Sequence, residues 1–331
     1  LAAALNVPVE TIHFGPSTSA NSYVLAHAFA DHLAPGDVVI VTNQDHEANS
    51  GVWRRLEARG ITIREWAVDP KTGHLDPRAL DNLLDDKVRL VAFPHCSNIV
   101  GEINPVAEIC ARLRSAGVLS AVDGVSYAPH GLPDIGALGP DIYLFSAYKT
   151  FGPHQGVMYV RAELNEALPN QGHFFNAGLP RKRLTPAGPD HAQIAASAGM
   201  ADYLEALSGL SGDTATDPFR HAESLIHAQE QALMAPLMDY LRSRNDIRLI
   251  GPSDPALRAP TISLALDEPA LAVATRLAEH KVMAGGGHFY AYRLLKALGI
   301  DPDHGVLRLS FVHYTSPQDI DQLIAALDAE L

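Results

Sequence analysis

The chain has 331 residues, 47% hydrophobic and 19% charged, an ordinary composition for a globular protein with a sizeable core and about two domains. Its formal net charge is −13 with Lys and Arg scattered, which argues against nucleic acid or an anionic membrane as a partner. Two cysteines make no disulfide framework and no metal spacing, and no apolar run reaches the roughly 18 residues of a membrane span, so a cytoplasmic protein without a metal site is expected.

The sequence starts at Leu1, without methionine, in what reads as the tail of a helix. An N-terminal part is therefore expected to be missing. Gly15-Pro16-Ser17-Thr18-Ser19-Ala20-Asn21 then opens a helix candidate at 19–33. Small residues and hydroxyls at a helix start suit an anion, because free N–H groups and the helix dipole both favour it. β-Branched runs at 38–42, 61–66, 89–93, 118–123, 141–146 and 156–160 predict strands. Helices are predicted at 50–59, 77–84, 106–116 and 194–207. Strands alternating with helices predict a mostly parallel sheet covered on both faces. Only a loop separates 141–146 from 156–160, so that pair is expected to be antiparallel.

A polar break at 213–218 precedes a long helix at 219–244. Strands at 247–250, 261–266 and 307–312 follow, with helices at 269–280, 290–298 and 317–331. The expected organisation is a large α/β domain over 1–213 and a smaller α+β domain over 214–331.

In an open α/β sheet, ligands bind beyond the carboxyl ends of the strands. His46 follows the strand at 38–42. His95, Ser97 and Asn98 follow 89–93. Asp123 ends the strand at 118–123, with Gly124, Ser126 and His130 beyond it. Ser146 ends 141–146, with Tyr148 and Lys149 next. An imidazole, an amide, a carboxylate and an amine thus converge on one crevice. Pyridoxal 5'-phosphate (PLP) needs such a set: a lysine for a Schiff base, a carboxylate at the pyridine nitrogen, a planar group on the ring, a donor to the ring oxygen and a phosphate cup.

At these residues the chain resembles the class V aminotransferase family, which includes the cysteine desulfurases. The segments that carry the resemblance are GPSTSAN, DHEAN, HCSNIVGEINPV, AVDGVSYAPH and SAYKTFGPHQGVMYVR. It implies the fold-type-I architecture of PLP-dependent transferases, with PLP as cofactor, an amino acid as substrate and a homodimer as assembly. Lys149 would form the Schiff base and move protons at the substrate Cα. Asp123 would pair with the pyridine nitrogen, His46 would stack on the ring, and Asn98 would reach the ring oxygen. Ser17, Thr18 and Ser146 would hold the phosphate. Ser126 and Tyr148 stand where the family often has glutamine and histidine. The C-terminal segment GVLRLSFVHYTSPQDIDQL also resembles the family. Strand alternation puts Arg308 and Ser310 on one face and Leu307, Leu309 and Phe311 on the other. Arg308 is then the candidate clamp for a substrate carboxylate.

Three departures bear on the reaction. Cysteine desulfurases carry a cysteine on a small-domain loop, and the matching stretch, Val282 to Ala291, has none; His288 and Tyr290 stand at the expected substrate mouth instead. Gly188 stands where the family often has a threonine reaching the partner's phosphate. Relatives carry further chain before residue 1. The absent cysteine favours an aminotransferase, with a PLP-dependent C–S lyase or a desulfurase-like enzyme without the usual thiol as the alternative. A non-catalytic protein keeping the fold is a reading of another class. A nucleotide-binding protein using GPSTSAN is a third, but no GxGxxG or GxxxxGK[ST] pattern supports it.

Overall fold

The computed structural model describes residues 1–210 and 216–331. The expected domain boundary at 213/214, and with it residues 213–215 of the polar break, lies outside the described residues. Seven strands, β1 (Ile12–Gly15), β2 (Val38–Thr42), β3 (Thr62–Trp66), β4 (Val88–Pro94), β5 (Leu119–Asp123), β6 (Ile142–Ser146) and β7 (Gly156–Val160), form one sheet in the order β1-β7-β6-β5-β4-β2-β3. Strands β2 to β6 pair in parallel. Strand β7 runs antiparallel to both β6 and β1, as its loop connection to β6 predicts.

Strand β2 shows why the sheet is covered on both sides. Val38 and Ile40 enter the core on one face, and Val39 and Val41 enter the core on the other. A parallel strand buried on both faces reads as a continuous apolar run rather than an alternating one. Truncating any such side chain to alanine would cost about 2–4 kcal/mol.

A second sheet, β8 (Arg248–Ile250), β9 (Thr261–Ala265), β10 (Gly285–Gly287) and β11 (Val306–Ser310), is antiparallel in the order β10-β11-β9-β8. It packs with the helices Ala270–Glu279 and Pro317–Glu330 around a core of its own. The helix Pro218–Ser243 joins the two units. Its Phe219, Ala222 and Ile226 belong to the core of the large sheet. Its Leu233, Leu237 and Leu241 belong to the core of the small one. Pro236 sits inside this helix, near the changeover.

Several elements differ from expectation. Strand β1 and the all-glycine β10 carry too little side-chain pattern to read as strands. The helix expected at 50–59 begins earlier, at Glu47, because the His46 ring caps it, and continues past Arg54 as a 3-10 turn, Arg55–Arg59. Residues Pro77–Asn82 are a 3-10 turn rather than a full helix. The helix expected at 194–207 is two, His191–Ala196 and Ala198–Ser208.

Candidate active site

The carboxyl ends of β2, β4, β5 and β6, the start of the helix Thr18–His32 and, from the small unit, Thr261 of β9, the end of β11 and the Phe289–Tyr290 turn line one cavity of about 1020 Å3. Of the residues expected to form the site, Thr18, His46, Asn98, Asp123, Ser126, Ser146, Tyr148, Lys149 and Arg308 line it. Ser17 and His288 do not.

Lys149 ends a 3-10 turn, Ala147–Lys149, between β6 and β7. The turn is tied at both ends: Ala147 N–H donates to Gln155 O at 2.8 Å, and Thr150 Oγ1 donates to Ser146 O at 3.0 Å. Lys149 has no ion-pair partner among the described residues, and its Nζ lies 5.8 Å from the centroid of the Tyr148 ring. Tyr148 in turn stacks on His154, with centroids 4.4 Å apart and planes 6° from parallel.

Asp123 is buried at the end of β5. Val125 N–H donates to its Oδ1 at 2.8 Å, which leaves Oδ2 without a protein partner among the described residues. Burial pushes its carboxyl up to about 6, against smaller downward pulls from that N–H and from Lys149. A cation placed against Oδ2 would lower it again.

At the helix start, Thr18 Oγ1 and Ser146 Oγ lie 2.8 Å apart. Two segments 128 residues apart thus bring two hydroxyls to the N-terminus of a helix. Gly156 makes this approach possible, because a Cβ there would come within 2.3 Å of the Ser17 carbonyl carbon. Ser17 is the helix N-cap: its Oγ accepts from Ala20 N–H at 3.1 Å. Ser17 does not line the cavity, where the residue beside Thr18 is Ser19.

His46 Nδ1 accepts from Ala48 N–H at 3.0 Å. Burial, with Lys149 and Arg308 nearby, pushes this imidazole down to about 4, so the ring is neutral near pH 7. Next to it is Asp45, buried and on the cavity wall. Its Oδ2 accepts from Asn49 Nδ2 at 3.0 Å, while Oδ1 has no partner among the described residues. Burial and the neighbouring Asp123 hold this carboxyl well above the usual range. The sequence reading passed over Asp45, although it stands directly before His46.

The small domain closes the other side. Asn98 Nδ2 donates to Phe289 O at 2.9 Å, and Asn98 Oδ1 is buried without a partner among the described residues. Arg308 Nη1 donates to Asn98 O at 3.2 Å, and the guanidinium lies 3.9 Å from the Phe289 ring centroid. Among the described residues Arg308 has no carboxylate partner. Glu47 N–H donates to Tyr290 O at 2.8 Å, and the Tyr290 ring reaches His46 at 5.1 Å. Phe289 and Tyr290 both have positive φ, 46° and 59°. This double left-handed turn carries the chain past the cavity. His288 Nδ1 accepts from Tyr290 N–H at 3.1 Å, so His288 caps the turn and Phe289 and Tyr290 form the wall. Phe311 also reaches the wall, because the regular strand ends at Ser310 and its alternation stops there.

Three other residues near the strand ends are structural. His95 stacks on Tyr127 at 3.6 Å and bonds Tyr143 Oη at 2.7 Å, and burial pushes it down to about 3. Ser97 Oγ accepts from Val100 N–H at 3.1 Å in the turn that carries Asn98. Cys96 lines the cavity, but burial pushes its thiol up to about 12, and its Sγ contacts Gly101 O at 3.4 Å. It is no ready thiolate. Cys110 is likewise buried.

Comparison with known proteins agrees with this geometry. Residues 1–183 and 215–323 match the family described as Aminotransferase class-V. The chain is 36% identical over 334 residues to the aminotransferase-like protein FGM3 of Gibberella zeae, covering 99% of this chain and 80% of that protein. It is 30% identical over 344 residues to a cysteine desulfurase of Serratia proteamaculans, covering 99% and 80%. In structure it is similar to the cysteine desulfurase CsdA of Escherichia coli, with a TM-score of 0.84, 24% identity, and coverage of 99% of this chain and 81% of that one.

Proposed function

The chain belongs to the class V aminotransferase family, and from that premise we propose a PLP-dependent enzyme that transaminates an amino acid. The observation that carries the reading is the shared cavity of Lys149 and Asp123, an amine and a buried carboxylate oxygen that have no protein partner among the described residues.

The donor set fits PLP. Asp123 Oδ2 would hold the pyridine nitrogen. Thr18 Oγ1, Ser146 Oγ and the free N–H groups of the helix start would hold the phosphate. The His46 ring would lie against the cofactor ring, and the second hydrogen of Asn98 Nδ2 would reach the ring oxygen. When bound, PLP supplies an electron-withdrawing ring that stabilises negative charge at the substrate Cα. Arg308 would hold the substrate carboxylate through its remaining N–H groups, with Phe289 excluding water from one guanidinium face. The Lys149 amine would take the proton from Cα and return it. The rigid 3-10 turn limits how far that amine can wander.

C–S cleavage without a thiol nucleophile is the second reading, supported by similarity to the Serratia proteamaculans cysteine desulfurase. Lys149 and Asp123 facing one cavity argue against a non-catalytic protein. A homodimer is part of the proposal, supported by Phe174 and Phe175, which are 87% and 68% exposed and adjacent. A reducing, cytoplasmic setting is proposed on the two free, buried cysteines.

Borohydride reduction of the PLP-incubated protein, followed by peptide mapping, tests the reading. A pyridoxyl adduct on the Lys149 peptide, lost in Lys149→Ala, is expected. An adduct elsewhere, or none in a folded protein, would overturn it.

A further inference from the structure

Two carboxylates on the long helix grip the turn that follows Asp123. Glu223 and Glu230 are seven residues apart, about two helical turns, so they share a face. Tyr127 Oη donates to Glu223 Oε1 at 2.9 Å, and His130 Nδ1 lies 2.9 Å from Glu230 Oε1. Tyr127 precedes the 3-10 turn Ala128–His130 and His130 ends it. The next residue, Gly131, has φ 135°, and a Cβ there would come within 2.7 Å of Glu223 Cγ. Helix and turn are therefore as close as they can be.

The His130 pair differs from the Tyr127 pair in what it leaves over. Glu230 is 1% exposed and His130 6%. Among the described residues Glu230 has no other hydrogen-bond partner. A carboxylate buried with one partner is a weak way to gain stability, since apolar residues of similar volume often do as well. The carboxylate accepts, so Nδ1 carries the hydrogen, and the tautomer and ring plane are fixed. That leaves Nε2, which has no protein partner among the described residues, on a residue that lines the cavity.

We propose that His130, oriented by Glu230, contacts the bound cofactor through Nε2, with Glu230 as its positioning residue. The inference rests on the proposed function, because it takes PLP as the occupant of the cavity. It adds a contact from the turn after β5 whose orientation is set by the long helix.

PLP titration of the full chain, read by absorbance, tests it, alongside the melting temperature of the ligand-free protein. His130→Phe keeps a planar ring without the nitrogens. Because it strands the buried Glu230 it is made together with Glu230→Leu; this double variant should bind PLP about tenfold or more weakly with little change in melting. Glu230→Gln keeps an acceptor for Nδ1–H and should bind PLP nearly as wild type, whereas Glu230→Leu alone should match the double variant. Wild-type affinity in the double variant would overturn the inference alone. So would weaker binding that simply follows lost thermal stability, with Glu230→Gln no better than Glu230→Leu. Failure of the wild type to bind PLP would overturn the proposed function together with it.

Discussion

Arg308 and Asn98 hold one another across the boundary between the two sheets. Arg308 Nη1 donates to the Asn98 carbonyl at 3.2 Å, and the Asn98 side chain donates at 2.9 Å to Phe289, whose ring covers the Arg308 guanidinium. The proposed carboxylate clamp and the proposed ring-oxygen donor are thus one mechanical unit. Arg308→Lys keeps the charge but loses the planar fork and the stack. We expect KM for the amino acid to rise about 10- to 100-fold, with a smaller loss in kcat. An unchanged KM would remove Arg308 from the substrate site.

The hydroxyl pair at the helix start predicts discrimination by phosphate. Thr18→Val combined with Ser146→Ala removes both side-chain hydroxyls but leaves the helix N–H groups. Affinity for PLP should fall about 10- to 100-fold, while affinity for pyridoxal, which lacks the phosphate, should stay the same. Equal losses for both compounds would place the phosphate elsewhere.

Asp123 predicts a conflict between stability and cofactor binding. Its folded-state carboxyl sits at about 6 against an ordinary 3.8, raised chiefly by burial. The folded protein therefore binds this proton more tightly than the unfolded chain. The Asp123 contribution to stability falls as pH rises through the window from about 4 to 6, and the full penalty applies above it. Two units correspond to roughly 3 kcal/mol at most. Asp123→Asn keeps an acceptor for Val125 N–H and should make the ligand-free protein more stable than wild type at pH 7, by a margin that shrinks toward pH 4. Its PLP affinity should drop. Denaturant melts at the two pH values check this, and a less stable variant at pH 7 would contradict it.

Cys96 lies on the cavity wall with its thiol pushed up to about 12. In the folded protein at pH 8 it should react with iodoacetamide far more slowly than a free thiol. Cys96→Ala should keep PLP binding and turnover. Loss of turnover in a variant that still binds PLP would return the thiol to the mechanism.

Most of this site was legible because its residues stand at the ends of strongly apolar strands. Asp123 and Ser146 end β5 and β6 and Lys149 stands just beyond; the apolar run of β6 marks its end plainly, while β5 is legible despite Ser120 within it. Residues set by tertiary closure were less visible. Phe289 displaces His288 from the wall because two consecutive residues turn left-handed, and nothing in their types announces that. Ser17 stands outside the cavity lining, with its hydroxyl capping the helix it introduces. Asp45 was passed over because a carboxylate beside a histidine reads as an ordinary polar loop until both are found buried.

The Pro218–Ser243 helix gives its first half to one hydrophobic core and its second half to the other. Neither core is complete without it, so neither unit can melt while the other keeps its helix in place. Heating should therefore produce a single calorimetric transition for the whole chain. Newly made protein would likewise have to wait for this segment to be synthesised before its large sheet gains full protection against hydrogen exchange.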